Sequence, residues 1–354
     1  MEEVGVIGLM SGTSLDGVDL VYVKFTGATT FEINNTATIP YPAVWLEQLK
    51  NCVELPRDSE KLLQLDKDLG MYYSKLILDF IESNAIQQVD FIASHGHTVH
   101  HQPEIGYTLQ IGCGKEIFKK TQIKTIYDFR SQDVFLGGQG APLVPVGDQL
   151  LFSEYDYCLN IGGFSNVSYQ ENGVRKAFDI CPVNTVLNFY ANQLGLDYDD
   201  KGTIARTGVI SEQLLLELNG LTFYQSSEPK SLGVEFLKEQ MFPVLSKYQL
   251  SVKDVLRTLV EHMAIQITKK IRKGNVLVTG GGVYHAFLIE RVQFHALELE
   301  IIIPNKQLID YKEALIFAFL GKLKSEGSIN CLASVTGASK NHASGVVVTT
   351  NESA

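Results

Sequence analysis

The sequence has few cysteines, and they are poorly spaced for a covalent or metal framework. Cys52, Cys113, Cys158, Cys181 and Cys331 are odd in number and contain no Cys-x-x-Cys pair, so neither a disulfide scaffold nor a zinc site is indicated. Most of them read as small apolar fillers. Positive charge is also in deficit, with 30 Lys and Arg against 40 Asp and Glu and a net charge of −10. That removes the basic face a nucleic-acid partner requires, and any anionic ligand must be held locally. No uninterrupted apolar run is long enough to span a membrane, and Met1-Glu2-Glu3-Val4 lacks the basic n-region of a signal peptide. The expected location is the cytoplasm, with no membrane partner. At 354 residues and 45% hydrophobic, the chain has material for two domains with cores of their own.

What the sequence does have is concentrated first at residues 4–25, Val-Gly-Val-Ile-Gly-Leu-Met-Ser-Gly-Thr-Ser-Leu-Asp-Gly-Val-Asp-Leu-Val-Tyr-Val-Lys-Phe. Two apolar, β-branched runs flank a polar turn, which predicts strand, loop, strand. Gly12 and Gly17 permit positive φ, and Thr13, Ser14 and the loop amides offer donors, so the turn suits a phosphate. Walker and dinucleotide loops open a helix, whereas residues 18–25 are β-formers, and the Walker lysine is missing. A phosphate loop inside a β-hairpin points instead to the actin-like architecture of sugar kinases, acetate kinases and the large heat-shock ATPases. The plainer alternative, an ordinary hairpin, seldom uses as many turn residues as 11–17.

Strands are expected next at 31–39, 89–94, 107–112 and 125–129, with helices at 44–55, 59–81 and 115–121. In the second helix Leu62, Leu63, Leu65, Leu69, Tyr72, Tyr73, Leu76, Ile77 and Phe80 recur at threes and fours, the stripe of a core-facing helix. The strand at 89–94 delivers His95-Gly96-His97 at its end. The two imidazoles could share a metal, but no carboxylate lies nearby and Gly96 breaks the geometry, so hydrogen-bonding histidines in a site wall are favoured. Asp128 and Arg130 alternate onto one face, either as an ion pair or with the Arg130 fork offered to a substrate carboxylate. The Gly- and Pro-rich residues 136–145 mark a crossover to a second domain.

Residues 156–161, 166–170 and 174–179 then read as a three-stranded meander around Gly162-Gly163. A strand, a glycine turn and a strand near the start of each half predict two related lobes facing each other over a cleft that closes on its ligands. Gly162 and Gly163 can hold the far side of a polyphosphate, or simply close a hairpin. Asp179 ends the meander before a helix at 186–194 capped by Thr185, where a carboxylate is well placed as a general base. The long irregular segment 223–233 has the character of a ligand-contacting loop. The helix at 252–272 shows a purely apolar inner face. At 275–289 a strand, Gly280-Gly281-Gly282 and a helix form a turn that a base or ribose can approach, which suggests adenosine. A helix at 308–320 carries Glu313, and residues 346–349 close the sheet. The lobes are expected at 1–130 plus about 336–354, and at 131–335.

With those residues in view, the chain resembles the anhydro-N-acetylmuramic acid kinase family over nearly its full length. The resemblance rests on Met10-Ser-Gly-Thr-Ser-Leu-Asp-Gly-Val-Asp19, Asp128-Phe-Arg130, Gly137-Gly-Gln-Gly-Ala-Pro-Leu-Val-Pro145, Leu159-Asn-Ile-Gly-Gly163, Gly280-Gly-Gly282, Glu313-Ala314 and Ser334-Val-Thr-Gly-Ala-Ser339, in the family's order. It implies an α/β fold of two actin-like, ribonuclease H-like lobes, each a mixed sheet flanked by helices. It also implies an ATP- and Mg²⁺-dependent kinase that opens the 1,6-anhydro ring of recycled muramic acid and phosphorylates O6. By that resemblance Gly12, Thr13, Ser14, Leu15, Asp16, Gly17, Val18 and Asp19 hold the ATP phosphates, together with Gly162 and Gly163, and Gly280, Gly281 and Gly282 receive the adenosine. Asp179 activates water. Asp16 and Asp179 serve the Mg²⁺, directly or through water, and His97, Arg130, Asn184 and Glu313 meet the sugar. The partner is a small-molecule sugar, and a homodimer is left open. Two departures stand out. The family's Asp-Thr-Gly-Pro-Gly-Asn is here Asp179-Ile-Cys-Pro-Val-Asn184, which predicts a less permissive loop, and His97 stands where Gln is common. These departures keep open a kinase for another sugar, or a non-catalytic nucleotide-dependent regulator on the same fold.

Overall fold

The apolar runs on either side of residues 12–17 form two strands, β1 (Val4–Ser11) and β2 (Val18–Phe25), paired antiparallel from Val4↔Phe25 to Met10↔Asp19. The computed structural model describes residues 3–226 and 230–349. Two compact units divide the chain, Met1–Leu151 with Tyr311–Ala354, and Phe152–Asp310.

In the first unit β2 pairs antiparallel with β3 (Phe31–Ile39), and β1 pairs parallel with β4 (Phe91–Gln102). β4 carries β5 (Tyr107–Ile111) as an antiparallel partner and β6 (Thr125–Tyr127) as a parallel one. The second unit contains β7 (Tyr157–Ile161), β8 (Phe164–Glu171), β9 (Val174–Pro182), β10 (Lys273–Thr279) and β11 (Glu298–Ile302). Its order is β11-β10-β7-β8-β9, with an antiparallel β7-β8-β9 meander and parallel β10 and β11. Back in the first unit, β12 (Val346–Val348) closes the sheet antiparallel to β6. The path β3-β2-β1-β4-β6 therefore repeats as β9-β8-β7-β10-β11, with the same strand directions. Two mixed α/β sheets of one topology are what the doubled strand-turn-strand pattern predicted.

The parallel step from the β1–β2–β3 meander to β4 is made through the helix Glu60–Ser83, whose Ser59 side chain accepts from the Leu62 N–H as its N-cap. Leu62, Leu69, Tyr73 and Ile77 of that helix are buried against Ile7, Leu9, Val18 and Leu20 of the sheet. Leu63 departs from the expected stripe and is exposed, because it lies on the outer side of the turn. The other face of β1 receives the helix Lys306–Ser325. Gly8 makes that approach possible, since a Cβ there would sit 2.3 Å from the Ala314 carbonyl oxygen.

Three of the boundaries that differ from the sequence expectation bear on the site or on the division of the chain. β4 does not stop at Ser94 but runs through His95–Gln102, held by its pairing with β5 across the kink at Gly96, φ 74°. The helix expected at 186–194 is Asn184–Asn192, and Thr185 does not cap it. Its first amides are satisfied by the turn before it, with Val183 N and Asn184 N donating to Gly163 O (2.8 Å) and Gly162 O (3.1 Å). The division between units falls after Leu151 and after Asp310, where the expected joins were 130/131 and 335/336. Residues 131–151 stay with the first unit because Asp133 is bonded to Thr336 (2.7 Å) and Asp148 to Lys312 (2.6 Å), both inside it.

The second unit packs the helix Val252–Lys270 on its sheet, and this helix is not chemically silent throughout. Glu261 accepts a bidentate pair from Arg291 (2.8 Å each), with Arg257 (2.9 Å) and His295 (2.7 Å) beside it. Burial pushes the Glu261 carboxyl up, but the hydrogen bonds from Arg291, His295 and Arg257 outweigh it and bring it down to about 2. A depressed pKa stabilises the fold above the unfolded value, and that contribution disappears as pH falls to the folded value. Glu261→Gln is expected to cost on the order of 2–3 kcal/mol at neutral pH, with the difference vanishing near pH 2. Urea unfolding of both proteins at the two pH values checks it. Among the described residues no helix is long and apolar enough to cross a membrane.

Candidate active site

In the first unit the loop between β1 and β2 leaves Thr13, Ser14 and Asp16 exposed and Gly12, Leu15 and Gly17 half-buried. Leu15 N donates to Gly12 O (3.3 Å), and Leu15 itself takes φ 62°, a left-handed conformation rare for a side-chain-bearing residue. Backbone held this way in an exposed loop fits a segment shaped for a ligand. Val18 is fully buried, so neither its side chain nor its backbone offers surface to a ligand. Asp19 accepts a hydrogen bond from Thr38 Oγ1 at 2.6 Å.

β4 runs parallel to β1 and brings its histidines beside this loop. His97 Nδ1 lies 3.2 Å from Ser11 Oγ, which meets Tyr41 OH (2.7 Å), which in turn meets Tyr73 OH (2.9 Å). Burial lowers His97 to about 4 and raises Tyr41 to about 12, so every member of this chain is neutral at pH 7. Nothing in the local sequence announced Ser11, Tyr41 and Tyr73 as partners of His97, because the contacts join residues 30 and 86 positions apart.

Arg130 does not pair with Asp128. The Asp128 carboxylate turns back to accept from Ser131 N (3.1 Å), at the start of the short helix Ser131–Phe135. Arg130 donates instead from Nε to His95 Nε2 (2.9 Å) and from Nη1 to Gly140 O (2.7 Å), leaving Nη2 without a bond to any described residue. Since Arg130 can only donate, His95 Nε2 is the accepting nitrogen, and His95 Nδ1 carries the proton toward Gly96 O (2.9 Å). Burial and the neighbouring guanidinium hold His95 well below its usual pKa, hence neutral. His95 and His97 thus serve as hydrogen-bonding wall residues with separate partners. Solvent reaches Glu313, yet the protein around it pushes its carboxyl up, against the pull of Arg130 and with a further push from Asp19. Glu313, Arg130 and Asp19 are therefore electrostatic neighbours.

The second unit assembles another group. The Gly162-Gly163 turn docks on the start of the helix Asn184–Asn192, and a Cβ built on Gly281 would come 3.6 Å from Asn184 Nδ2. Gly280, Gly281 and Gly282 are not equivalent. A Cβ on Gly280 would lie 2.6 Å from Asn160 Oδ1, and one on Gly282 would lie 2.2 Å from Ile161 Cγ2, whereas Gly281 has no neighbour closer than that Asn184 amide. Gly280 and Gly282 are required by packing on β7, and Gly281 is the open position. Asp179 lies within β9, half-buried, its N–H donating to Lys230 O (3.0 Å) and its Oδ2 accepting from Leu232 N (2.7 Å). Burial pushes its carboxyl up, and the Leu232 N–H offsets part of that. Leu232 and Lys230 are the working part of the irregular segment 223–233, of which 227–229 lie outside the described residues.

Comparison with known proteins gives these two groups a context. The chain matches the family model described as anhydro-N-acetylmuramic acid kinase over residues 4–350. The chain belongs to that family. The anhydro-N-acetylmuramic acid kinase of Aliivibrio fischeri is 35% identical, covering 98% of this chain and 99% of its own length. That of Mannheimia succiniciproducens is 36% identical over 96% of this chain and 98% of its own. Among solved structures, component A of the (R)-2-hydroxyglutaryl-CoA dehydratase of Acidaminococcus fermentans is similar at a TM-score of 0.45 and 14% identity, covering 89% of this chain and 96% of that one. That likeness is too distant to bear on function.

As a member of the anhydro-N-acetylmuramic acid kinase family, the chain carries its departures in a particular place. Ile180 (2% exposed), Cys181 (0%) and Val183 (0%) belong to the hydrophobic core of the second unit. The side chains expected to narrow the loop between Asp179 and Asn184 are absorbed by packing.

Proposed function

We propose that this chain is an ATP-dependent kinase that opens 1,6-anhydro-N-acetylmuramic acid and phosphorylates O6, giving N-acetylmuramic acid 6-phosphate and ADP in the cytoplasm. Family membership over residues 4–350 supports the reaction class. The observation that carries the mechanism is Asp179, a half-buried carboxylate fixed by the Leu232 N–H and made more basic than an ordinary aspartate by its burial, as suits a general base. In this reading water attacks C1, its proton passes to Asp179, the C1–O6 bond breaks, and O6 forms its new bond to the γ-phosphorus as ADP leaves.

The residues present fit ATP. Thr13 and Ser14 are exposed on a loop of suitable curvature, and Gly281 is open enough for a base or ribose to lie against the backbone. In the first unit the Gly12 to Asp19 loop would hold phosphate; in the second, Gly162 and Gly163 would do so and Gly280 to Gly282 would receive the adenosine. The Asp16 carboxylate is exposed and accepts no hydrogen bond among the described residues, which fits a role toward Mg²⁺. When bound, Mg²⁺ neutralises phosphate charge that develops in transfer. In the first unit His97, Arg130 and Glu313 would meet the sugar, with the unengaged Nη2 of Arg130 suited to its lactyl carboxylate.

The test is ADP release by the purified protein with Mg-ATP and the anhydro sugar, with mass spectrometry of the product. Water labelled with ¹⁸O should leave its label on C1. Turnover without such a label, or none with this sugar, would reject the proposed reaction. Arg130→Lys should raise KM for the sugar by about 10- to 100-fold, since a single ammonium nitrogen cannot reproduce the planar fork whose Nε and Nη1 reach His95 and Gly140 while Nη2 points elsewhere. Steady-state kinetics at saturating ATP reads that change. A homodimer remains the assembly to test by light scattering.

A further inference from the structure

We propose that Asp133, Cys331 and His342 form a buried metal site, with Zn²⁺ as the ion their donors suit. None of the three has a role in the reaction above. One ligand atom from each, all three residues buried, falls within 4.8 Å of the others. Asp133 Oδ1 lies 3.0 Å from Cys331 Sγ, 2.7 Å from Thr336 Oγ1 and 3.6 Å from His342 Nε2, while Oδ2 accepts from Gly140 N at 2.7 Å.

The decisive feature is the orientation of His342. Its Nδ1 is 3.1 Å from Lys340 O, and a carbonyl oxygen only accepts, so Nδ1 carries a proton and in the neutral ring it is Nε2 that carries the lone pair. Nε2 is buried, has no hydrogen-bond partner among the described residues, and belongs to a side chain only 4% exposed. It points at the Asp133 carboxylate, so two lone-pair-bearing atoms face each other across 3.6 Å in the protein interior. A cation between them removes that conflict. One thiolate, one carboxylate and one neutral imidazole balance a divalent charge, and the S, O, N set matches Zn²⁺. Binding releases the Cys331 thiol proton to solvent as the S–Zn bond forms. Tetrahedral Zn²⁺ keeps such ligands about 3.4–3.6 Å apart. His342 is thus already in position, and Cys331 Sγ must withdraw by about half an ångström. The Thr336 hydroxyl donates to the same Asp133 oxygen and helps to hold that carboxylate in place.

Cysteine spacing concealed this group because its members come from positions 133, 331 and 342, gathered only by the fold. The Gly140 peptide connects it to Arg130, giving its N–H to Asp133 and its carbonyl to Arg130 Nη1. A loaded site would therefore stiffen the loop that orients Arg130.

The experiment is a Co²⁺ titration of the full, chelator-treated protein under reducing conditions, read by absorbance. The expected result is one equivalent bound, with a near-ultraviolet thiolate-to-cobalt band and the visible bands of a tetrahedral ion, all erased by Zn²⁺. Zn²⁺ should also raise the melting temperature. Cys331→Ser keeps a hydroxyl donor for Asp133 and should preserve the circular dichroism while losing both the ultraviolet band and the thermal shift. His342→Gln should weaken Co²⁺ binding at least about tenfold. A folded parent that gives no thiolate band, or a band that persists in Cys331→Ser, overturns the site and leaves a second proton on His342 as the link to Asp133.

Discussion

Replacing Asp179 by asparagine is expected to lower sugar-dependent ADP release by about 10²–10⁴-fold, the range a positioned general base supplies. The substitution isolates the proton. Asparagine has the same shape, its amide oxygen can still accept from Leu232 N, and the backbone bond from residue 179 to Lys230 O is untouched. ATP affinity should therefore stay at the parent value while kcat falls. A parallel loss of ATP affinity would instead mean that the carboxylate serves through the metal-bound nucleotide, and unchanged turnover would remove Asp179 from the mechanism. The pH profile gives an independent check. Burial raises the Asp179 pKa, and the Leu232 N–H lowers it only in part. Activity requires the carboxylate, so it should fall as pH drops through that raised value, with the acid limb displaced upward from that of an ordinary aspartate. In Asp179→Asn the acid limb should be gone from whatever activity remains.

The strands around both glycine turns were legible in sequence because β-branched runs and turn residues carry local signals, and the two matching sheets follow from that pattern repeating. The helix Glu60–Ser83 was legible for the same reason, through its 3.6-residue stripe and Ser59 cap. What was not legible depends on contacts distant in sequence. Arg130 and Asp128 share an alternating pattern, but Asp128 spends its carboxylate on Ser131 N and Arg130 crosses to His95 on a neighbouring strand. The glycines lost between Asp179 and Asn184 looked like a constraint on substrate. Only their burial shows that Ile180, Cys181 and Val183 fill the core. The place where β4 ends was also misjudged, because a run of histidines and a glycine lacks strand propensity and is held extended by its pairing with β5.

The triple glycine offers the sharpest separation of a packing role from a binding role. Gly282→Ala is expected to destabilise the protein by about 1–3 kcal/mol, since its methyl would lie 2.2 Å from Ile161 Cγ2 and 2.8 Å from Ile161 O, and a backbone oxygen cannot rotate away. In a domain of this size that lowers the melting temperature by about 2–4 °C for each kcal/mol. Gly281→Ala meets no such barrier, because its nearest atom, Asn184 Nδ2, is 3.6 Å away and belongs to a side chain, so its melting temperature should match the parent. Its effect should appear in binding. A methyl on the one open glycine stands where adenosine would lie against the backbone, and ATP affinity should weaken by about tenfold, equivalent to about 1.4 kcal/mol. Differential scanning fluorimetry and calorimetric titration of ATP on the two variants read the two effects separately. If Gly281→Ala binds ATP as the parent does, adenosine does not approach this turn, and the packing of Gly280 and Gly282 against β7 is what remains to explain the motif.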